Sequence, residues 1–308
     1  LISFAEVSED YKYVKPVISE GNELEIIDGR HPVIERLLPP GEKFIANDTY
    51  ADTADSQILI LTGPNMSGKS SYLRQVGLII LLAQIGCFVP ARSAKISIVD
   101  KIFTRVGASD NIAKGESTFL VEMHEAANIL NNATSKSLIL LDEIGRGTST
   151  YDGISIAWAM TEYIHENPNI NAKTLFATHY HELNALADMY PRIKNFRVEV
   201  KEYNDKVIFL RKITEGTADH SYGIQVAQMA GLPEKVTNRA KEILRSLEDK
   251  EYRRKTADDL QISMFESAVT ELESEALKKM LSEIDIDSIT PLDAMNLLKK
   301  LKDESNRK

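Results

Sequence analysis

The sequence predicts an α/β fold, a mainly parallel but mixed sheet flanked by helices, followed by a helical appendage at the C-terminal end. Three observations carry this. Short apolar runs at Ile58–Leu61, Leu138–Leu141 and Thr174–Ala177 read as buried strands. Helical patterns at Ser70–Ile85 and Gly153–His165 alternate with them, the rhythm of strands joined by crossover helices. Phe196–Tyr203 and Val207–Ile213 flank Asn204-Asp205, an antiparallel hairpin signal that makes the sheet mixed.

Residues 1 to about 20 read as the end of a helix and an extended lead-in at Pro16. The strand–helix alternation runs from about Glu23 to Ala230, and Gly86 closes the first strong helix. After Gly231-Leu232-Pro233 the character changes. Val236–Leu247 is an amphipathic helix bearing Arg239, Lys241 and Arg245, and Glu251–Gln261 is a charged stretch without apolar periodicity, read as a linker. Helical segments follow at Ala268–Leu281 and, beyond Thr290-Pro291, at Leu292–Leu301, where Leu292, Met295, Leu298 and Leu301 share one face.

Composition narrows the class. Of 308 residues, 43% are apolar and 27% charged, which suits a packed globular chain and excludes disorder or a disulfide scaffold. The single cysteine, Cys87, cannot form an internal bridge, which fits a reducing compartment. No run is long enough to suggest a membrane span, and the acidic N-terminus does not read as a signal peptide. The chain opens at Leu1 rather than a methionine and reads as part of something longer. A net charge of −9 argues against the bulk of its surface binding nucleic acid.

Gly63-Pro64-Asn65-Met66-Ser67-Gly68-Lys69-Ser70 matches G-x-x-x-x-G-K-[ST] between an apolar strand and an apolar helix, the context that a phosphate loop requires. Its backbone N–H groups and the helix N-terminus would cradle phosphate, Lys69 would meet the β- and γ-phosphates of ATP or ADP, and Ser70 would offer a hydroxyl to Mg²⁺. Ser71 follows on the same turn. Leu138–Leu141 runs into Asp142-Glu143, with Asp142 placed to support Mg²⁺ and Glu143 to orient or deprotonate the attacking water. The third strand ends at Ala177-Thr178-His179-Tyr180-His181-Glu182. Two histidines and a glutamate invite a metal reading, but zinc wants further His or Cys ligands, so His179 reads instead as a γ-phosphate sensor. His31 reads as structural, and His124, His165 and His220 are assigned no function.

Four motifs in order give a more specific result: Gly63 to Ser70, Ser117-Thr118-Phe119-Leu120-Val121-Glu122-Met123, Asp142-Glu143-Ile144-Gly145-Arg146-Gly147-Thr148-Ser149, and Ala177 to Leu183. Together they resemble the MutS family of DNA mismatch-repair ATPases. Gly29-Arg30-His31-Pro32, Phe44 to Asp48 and the tail from Asp287 to Ala294 resemble that family too, so the likeness covers nearly the whole chain. It implies an ATPase of the ABC class, with two subunits face to face and each nucleotide held between the phosphate loop of one and Ser117 of the other. Residues from Gly145 to Thr150 would line the dimer contact, and Phe44 and Ile45 would pack on adenine. Arg211 stands where some relatives present a base-stacking histidine. The stretch 223–227 and the helix after Pro233 resemble a helix-turn-helix dimerisation element.

On this resemblance residues 1–20 end an upstream region, 21–232 form the ATPase domain, 233–250 the dimerisation element, and 251–308 a linker and tail. The expected partners are a second copy of the chain, through the composite ATP sites and the C-terminal helices, mismatched duplex DNA through upstream domains, and a MutL-like repair factor. The expected location is the cytoplasm at the nucleoid. A transporter subunit or a chromosome-organising ATPase would show a glycine-rich signature before the strand that ends in Asp142-Glu143, and none is present. A non-hydrolysing scaffold fits poorly with the intact Lys69, Ser70, Asp142, Glu143 and His179. The nearest alternative is the second-type MutS paralogue, which acts on recombination or branched DNA.

Overall fold

Every residue of Ile58–Thr62 is buried, and so is every residue of Lys173–Thr178, while Leu138–Asp142 is buried up to its last residue. Strands with no polar face must be covered on both sides, as in the centre of a parallel sheet. The computed structural model describes residues 2–64, 67–107, 117–203, 206–218 and 222–247. It divides into two units, residues 1–229 and 230–308.

In the first unit the strands, in chain order, are β1 (Val17–Ser19), β2 (Leu24–Gly29), β3 (Asn47–Ala51), β4 (Ile58–Thr62), β5 (Ser93–Ser97), β6 (Ile102–Arg105), β7 (Leu138–Asp142), β8 (Lys173–Thr178), β9 (Ile193–Tyr203) and β10 (Lys206–Glu215). They form two sheets, ordered β10-β9-β4-β8-β7-β6 and β1-β5-β2-β3. The larger sheet is parallel except for the β9–β10 hairpin, as the sequence predicts. The smaller one corrects the expectation of a single sheet: β2 pairs antiparallel with both β3 and β5, and β1 runs parallel to β5. Its strands escape a search for apolar runs because β3 alternates buried and exposed residues along its whole length.

The helices are α1 (Ile2–Asp10), α2 (Ile34–Leu37), α3 (Lys69–Gln84), α4 (Thr118–Asn132), α5 (Thr150–Glu166), α6 (Leu186–Met189) and α7 (Gly223–Met229). Alternation along the central strands splits the core. Leu59 and Leu61 of β4 and Leu138 and Leu140 of β7 join Leu73, Val76 and Ile80 of α3 and Leu24, Ile26 and Ile96 of the smaller sheet. Ile58 and Ile60, with Ile139 and Leu141, face Ala126 and Ile129 of α4 and Ala157, Met160 and Ile164 of α5 on the other side. Helices therefore cover both faces of the larger sheet. In the second unit the described residues contain one helix, over 234–247. It begins on the carbonyl of Pro233, which accepts the N–H groups of Val236 and Thr237. The linker and the two tail helices expected beyond it lie outside the described residues.

The turn that feeds β4 is held by Asp52. Its Oδ1 accepts the N–H groups of Ala54, Asp55 and Ser56 at 2.7–3.0 Å, and Tyr50 donates its hydroxyl to Oδ2 at 2.8 Å. Burial raises the pKa of this carboxyl, but the backbone donors and Tyr50 outweigh it and bring the pKa from 3.8 down to about 2. Asp52→Ala should lower stability at pH 7 by about 1–3 kcal/mol, the loss expected when buried donors go unmet. Because the folded pKa is depressed, that contribution is complete above 3.8 and disappears as pH falls through about 2. Paired urea titrations along this pH range check it; a gap between wild type and variant that stays constant with pH would refute the assignment.

Candidate active site

The site begins where β4 ends. Gly68 caps α3 with φ +106°, a left-handed conformation that glycine adopts without strain, and this lets the chain turn straight from loop into helix. Lys69 is the first helical residue and only 4% exposed. Its ammonium donates to the carbonyls of Gly63 at 2.5 Å and Pro64 at 3.0 Å, so the side chain folds back along the loop. Burial lowers its pKa, and the carboxylates of Glu143 and Asp142 oppose that. Ser67 Oγ is buried without a hydrogen-bond partner, a polar atom aimed into the loop. Asn65 and Met66 lie outside the described residues.

β7 delivers the acids. The Asp142 carboxyl has its pKa raised, first by burial and then by the neighbouring charge of Glu143, against a hydrogen bond from Ser70 and the cations of Lys69 and Arg74. Its Oδ1 is buried with no hydrogen-bond partner. A carboxylate oxygen left unmatched beside a serine hydroxyl is the hard oxygen donor set that suits Mg²⁺, so Ser70 and Asp142 fit the ion assigned to them. Glu143 takes φ +56°, rare for a side chain with a Cβ, and its N–H donates to the Ala177 carbonyl at 2.8 Å. Strain of this kind gathers at sites where the surroundings hold it. The carboxylate of Glu143 pairs with the guanidinium of Arg146.

β8 ends beside them. His179 has its pKa lowered by burial and by the cations of Arg146 and Lys69, which keeps the imidazole neutral near pH 7. Its Nδ1 is buried without a partner, and its ring lies 4.1 Å from that of Tyr180. Lys69, Ser70, Asp142, Glu143 and His179 thus meet at one edge of the sheet. Ser117 caps α4 with no hydrogen bond from its own side chain to the helix, and it is exposed.

Phe44 and Ile45 line a cavity of about 240 Å³ with Gly68, Ser71, Tyr72 and Arg211. Arg211 sits on a bulge of β10 with φ +54°. Asn47, at the start of β3, donates from Nδ2 to the Arg211 carbonyl at 2.9 Å and accepts the Ile213 N–H on Oδ1 at 2.8 Å, so one side chain ties the smaller sheet to the bulge. His31 accepts the N–H groups of Val33 and Ile34 on Nδ1, a local turn contact. Arg146 and Glu122 stand inside motifs visible in the sequence; the contacts of Glu122, with Arg105 and Gly145, are long-range and no spacing rule announces them, while Arg146 meets Glu143 three residues away.

The family model for MutS domain V matches residues 59–248. The chain is 56% identical, over 98% of its length, to the DNA mismatch repair protein MutS of Parabacteroides distasonis, covering 36% of that protein. It is 52% identical over 97% of its length to that of Salinibacter ruber, covering 37%, and 58% identical over 98% to that of Thermodesulfovibrio yellowstonii, covering 35%. The chain therefore spans about a third of the length of these relatives. Their names give no support to the second-type paralogue. Among the described residues no helix is long and apolar enough to cross a membrane. With a domain V match over more than half its residues and relatives of this similarity along nearly all of it, the chain belongs to the MutS family.

Proposed function

We propose that the chain is an ATP-hydrolysing, dimerising domain of the ABC class that serves a MutS-type mismatch-repair protein. The observation that carries this reading is the convergence of a buried Lys69 ammonium, an unmatched Asp142 oxygen and the Glu143 carboxylate at the ends of β4 and β7. Lys69 would exchange the carbonyls of Gly63 and Pro64 for phosphate oxygens of ATP or ADP. Ser70 and Asp142 would hold Mg²⁺, which when bound neutralises phosphate charge and polarises the transferring group. Glu143 orients or deprotonates the attacking water, and His179, neutral, marks the γ-phosphate end of the site. Phe44 and Ile45 offer the base an apolar wall.

Ser117 acts on the nucleotide of a partner copy. Its exposure at the start of α4, with a hydroxyl that does not cap its own helix, favours this composite arrangement. Residues 21–232 would form the ATPase domain, with residues 1–20 the end of an upstream region. Residues 233–250 would add contacts between copies, and 251–308 a linker and helical tail. Mismatched duplex DNA, read by domains upstream of this one, and a MutL-like factor are the proposed partners of the whole protein, in the cytoplasm at the nucleoid.

Lys69→Ala should abolish productive ATP binding, measured by nucleotide titration and phosphate release; unchanged affinity and turnover would end the phosphate-loop assignment. Glu143→Gln keeps shape and Mg²⁺ geometry, so ATP should bind while hydrolysis falls about 10²–10⁴-fold, the usual contribution of a general base. Wild-type turnover in that variant would move water activation elsewhere. Mixing Ser117→Ala with Lys69→Ala chains should create heterodimers with one intact and one doubly damaged site. Turnover above that of either variant alone is expected, and a mixture with exchanged subunits that regains nothing would contradict action in trans.

A further inference from the structure

The loop after Glu143 is held by a carboxylate that the nucleotide chemistry leaves unused. Glu122, on α4, is 5% exposed, and each of its oxygens has a separate task. Oε1 accepts the Gly145 N–H at 2.5 Å, and Oε2 accepts Nη2 of Arg105, at the end of β6, at 3.0 Å. Gly145 has φ +91°, and a Cβ there would lie 2.6 Å from Cα of Gly153, so α5 closes off the space around it. Its carbonyl accepts the Tyr180 hydroxyl at 3.0 Å. The turn from Glu143 to Gly145 is therefore fixed at three points: Glu143 N–H on β8, Gly145 C=O on Tyr180, and Gly145 N–H on Glu122.

Neutralising Arg105 does not account for this arrangement. That guanidinium also meets Glu125 at 3.1 Å and the Gly107 carbonyl, so it has anionic and polar neighbours without Glu122. Oε1 instead accepts a backbone N–H, that of Gly145. A charged acceptor there makes a stronger bond than a neutral one. One turn earlier on the same face of α4, Phe119 abuts Gly147, where an added Cβ would come within 2.7 Å of the Phe119 Cβ. The helix thus presses the loop at two places.

We propose that Glu122 is a positioning residue for ATP hydrolysis, whose grip on the Gly145 N–H sets the direction in which Glu143 presents its carboxylate. This rests on the ATPase reading above. Without the grip the turn keeps its sequence and loses one of three anchors, and a base displaced by about 1 Å can lose about 10²-fold in rate. Nucleotide affinity, set by Lys69 and the phosphate loop, does not pass through Gly145.

The test compares two double variants of the whole chain, E122Q/R105M and E122L/R105M. Both remove the buried ion pair, and they differ in whether an acceptor faces Gly145. E122L/R105M should turn over ATP about tenfold or more slowly than E122Q/R105M, in the range that orienting partners of active groups contribute. Its ADP affinity should stay within about twofold, as the phosphate-loop contacts that set binding energy are untouched. Equal kcat in the two, or a loss of ADP affinity in step with kcat, overturns the proposal. Should circular dichroism show the Leu variant unfolded, Glu122→Asp keeps the charge and withdraws the oxygen from Gly145. It should lose kcat with ADP affinity kept, and wild-type kcat in Glu122→Asp overturns the proposal equally. Wild-type chain that binds ADP yet hydrolyses no faster than Glu143→Gln would instead bring down the ATPase reading, and this inference with it.

Discussion

Parallel pairing of β4, β8 and β7 is the constraint on which the site depends. Thr62 stands beside Thr178, and Asp142 beside Ala177, so the residues leaving these three strands emerge at one edge. Chain segments far apart in sequence thereby bring a cation, two acids and an imidazole together with no side chain having to reach far. Ligands of open α/β sheets gather at the carboxyl ends of strands for this reason. The apolar layers on both faces keep the three strands in register, because a slip of one residue would exchange Leu59 and Leu61 with Ile58 and Ile60 across the sheet.

The charges at that edge are held at a disadvantage. Burial works against the ammonium of Lys69 and against the ionised carboxyl of Asp142, and each partly relieves the other. Opposite charges taken out of water seldom stabilise a fold on their own account. Their cost is carried by the cores to either side, and the strained backbone of Glu143 adds to it. Apolar packing and buried charge are thus separated in space: strand interiors hold the first, strand ends the second.

Much of this was legible in the sequence because it is local. The glycine loop from Gly63 to Ser70, the acids after Leu141 and the helix that begins at Lys69 are each set by contiguous residues whose spacing reflects one turn, one strand or one helix. The smaller sheet was not, since Asn47–Ala51 and Ser93–Ser97 carry polar residues on an exposed face and gain their strand character only by pairing with β2. Glu122 was visible inside a motif, but its task was not, because the bond to Gly145 spans a separation that no periodicity rule covers. Arg146 differs in that its partner Glu143 is only three residues away, but that pairing crosses a turn with left-handed backbone at Glu143 and Gly145, which helical spacing does not describe.

Asn47 carries a different kind of consequence. A carboxamide has a donor and an acceptor at fixed separation, and here the donor meets the carbonyl of Arg211 while the acceptor meets the N–H of Ile213. The long β9–β10 ribbon changes register between Phe209 and Ile213. Sliding β10 by one residue would set like groups against the amide, donor to donor and acceptor to acceptor. Asn47 therefore favours a single phase of the ribbon, a discrimination exercised within the fold itself.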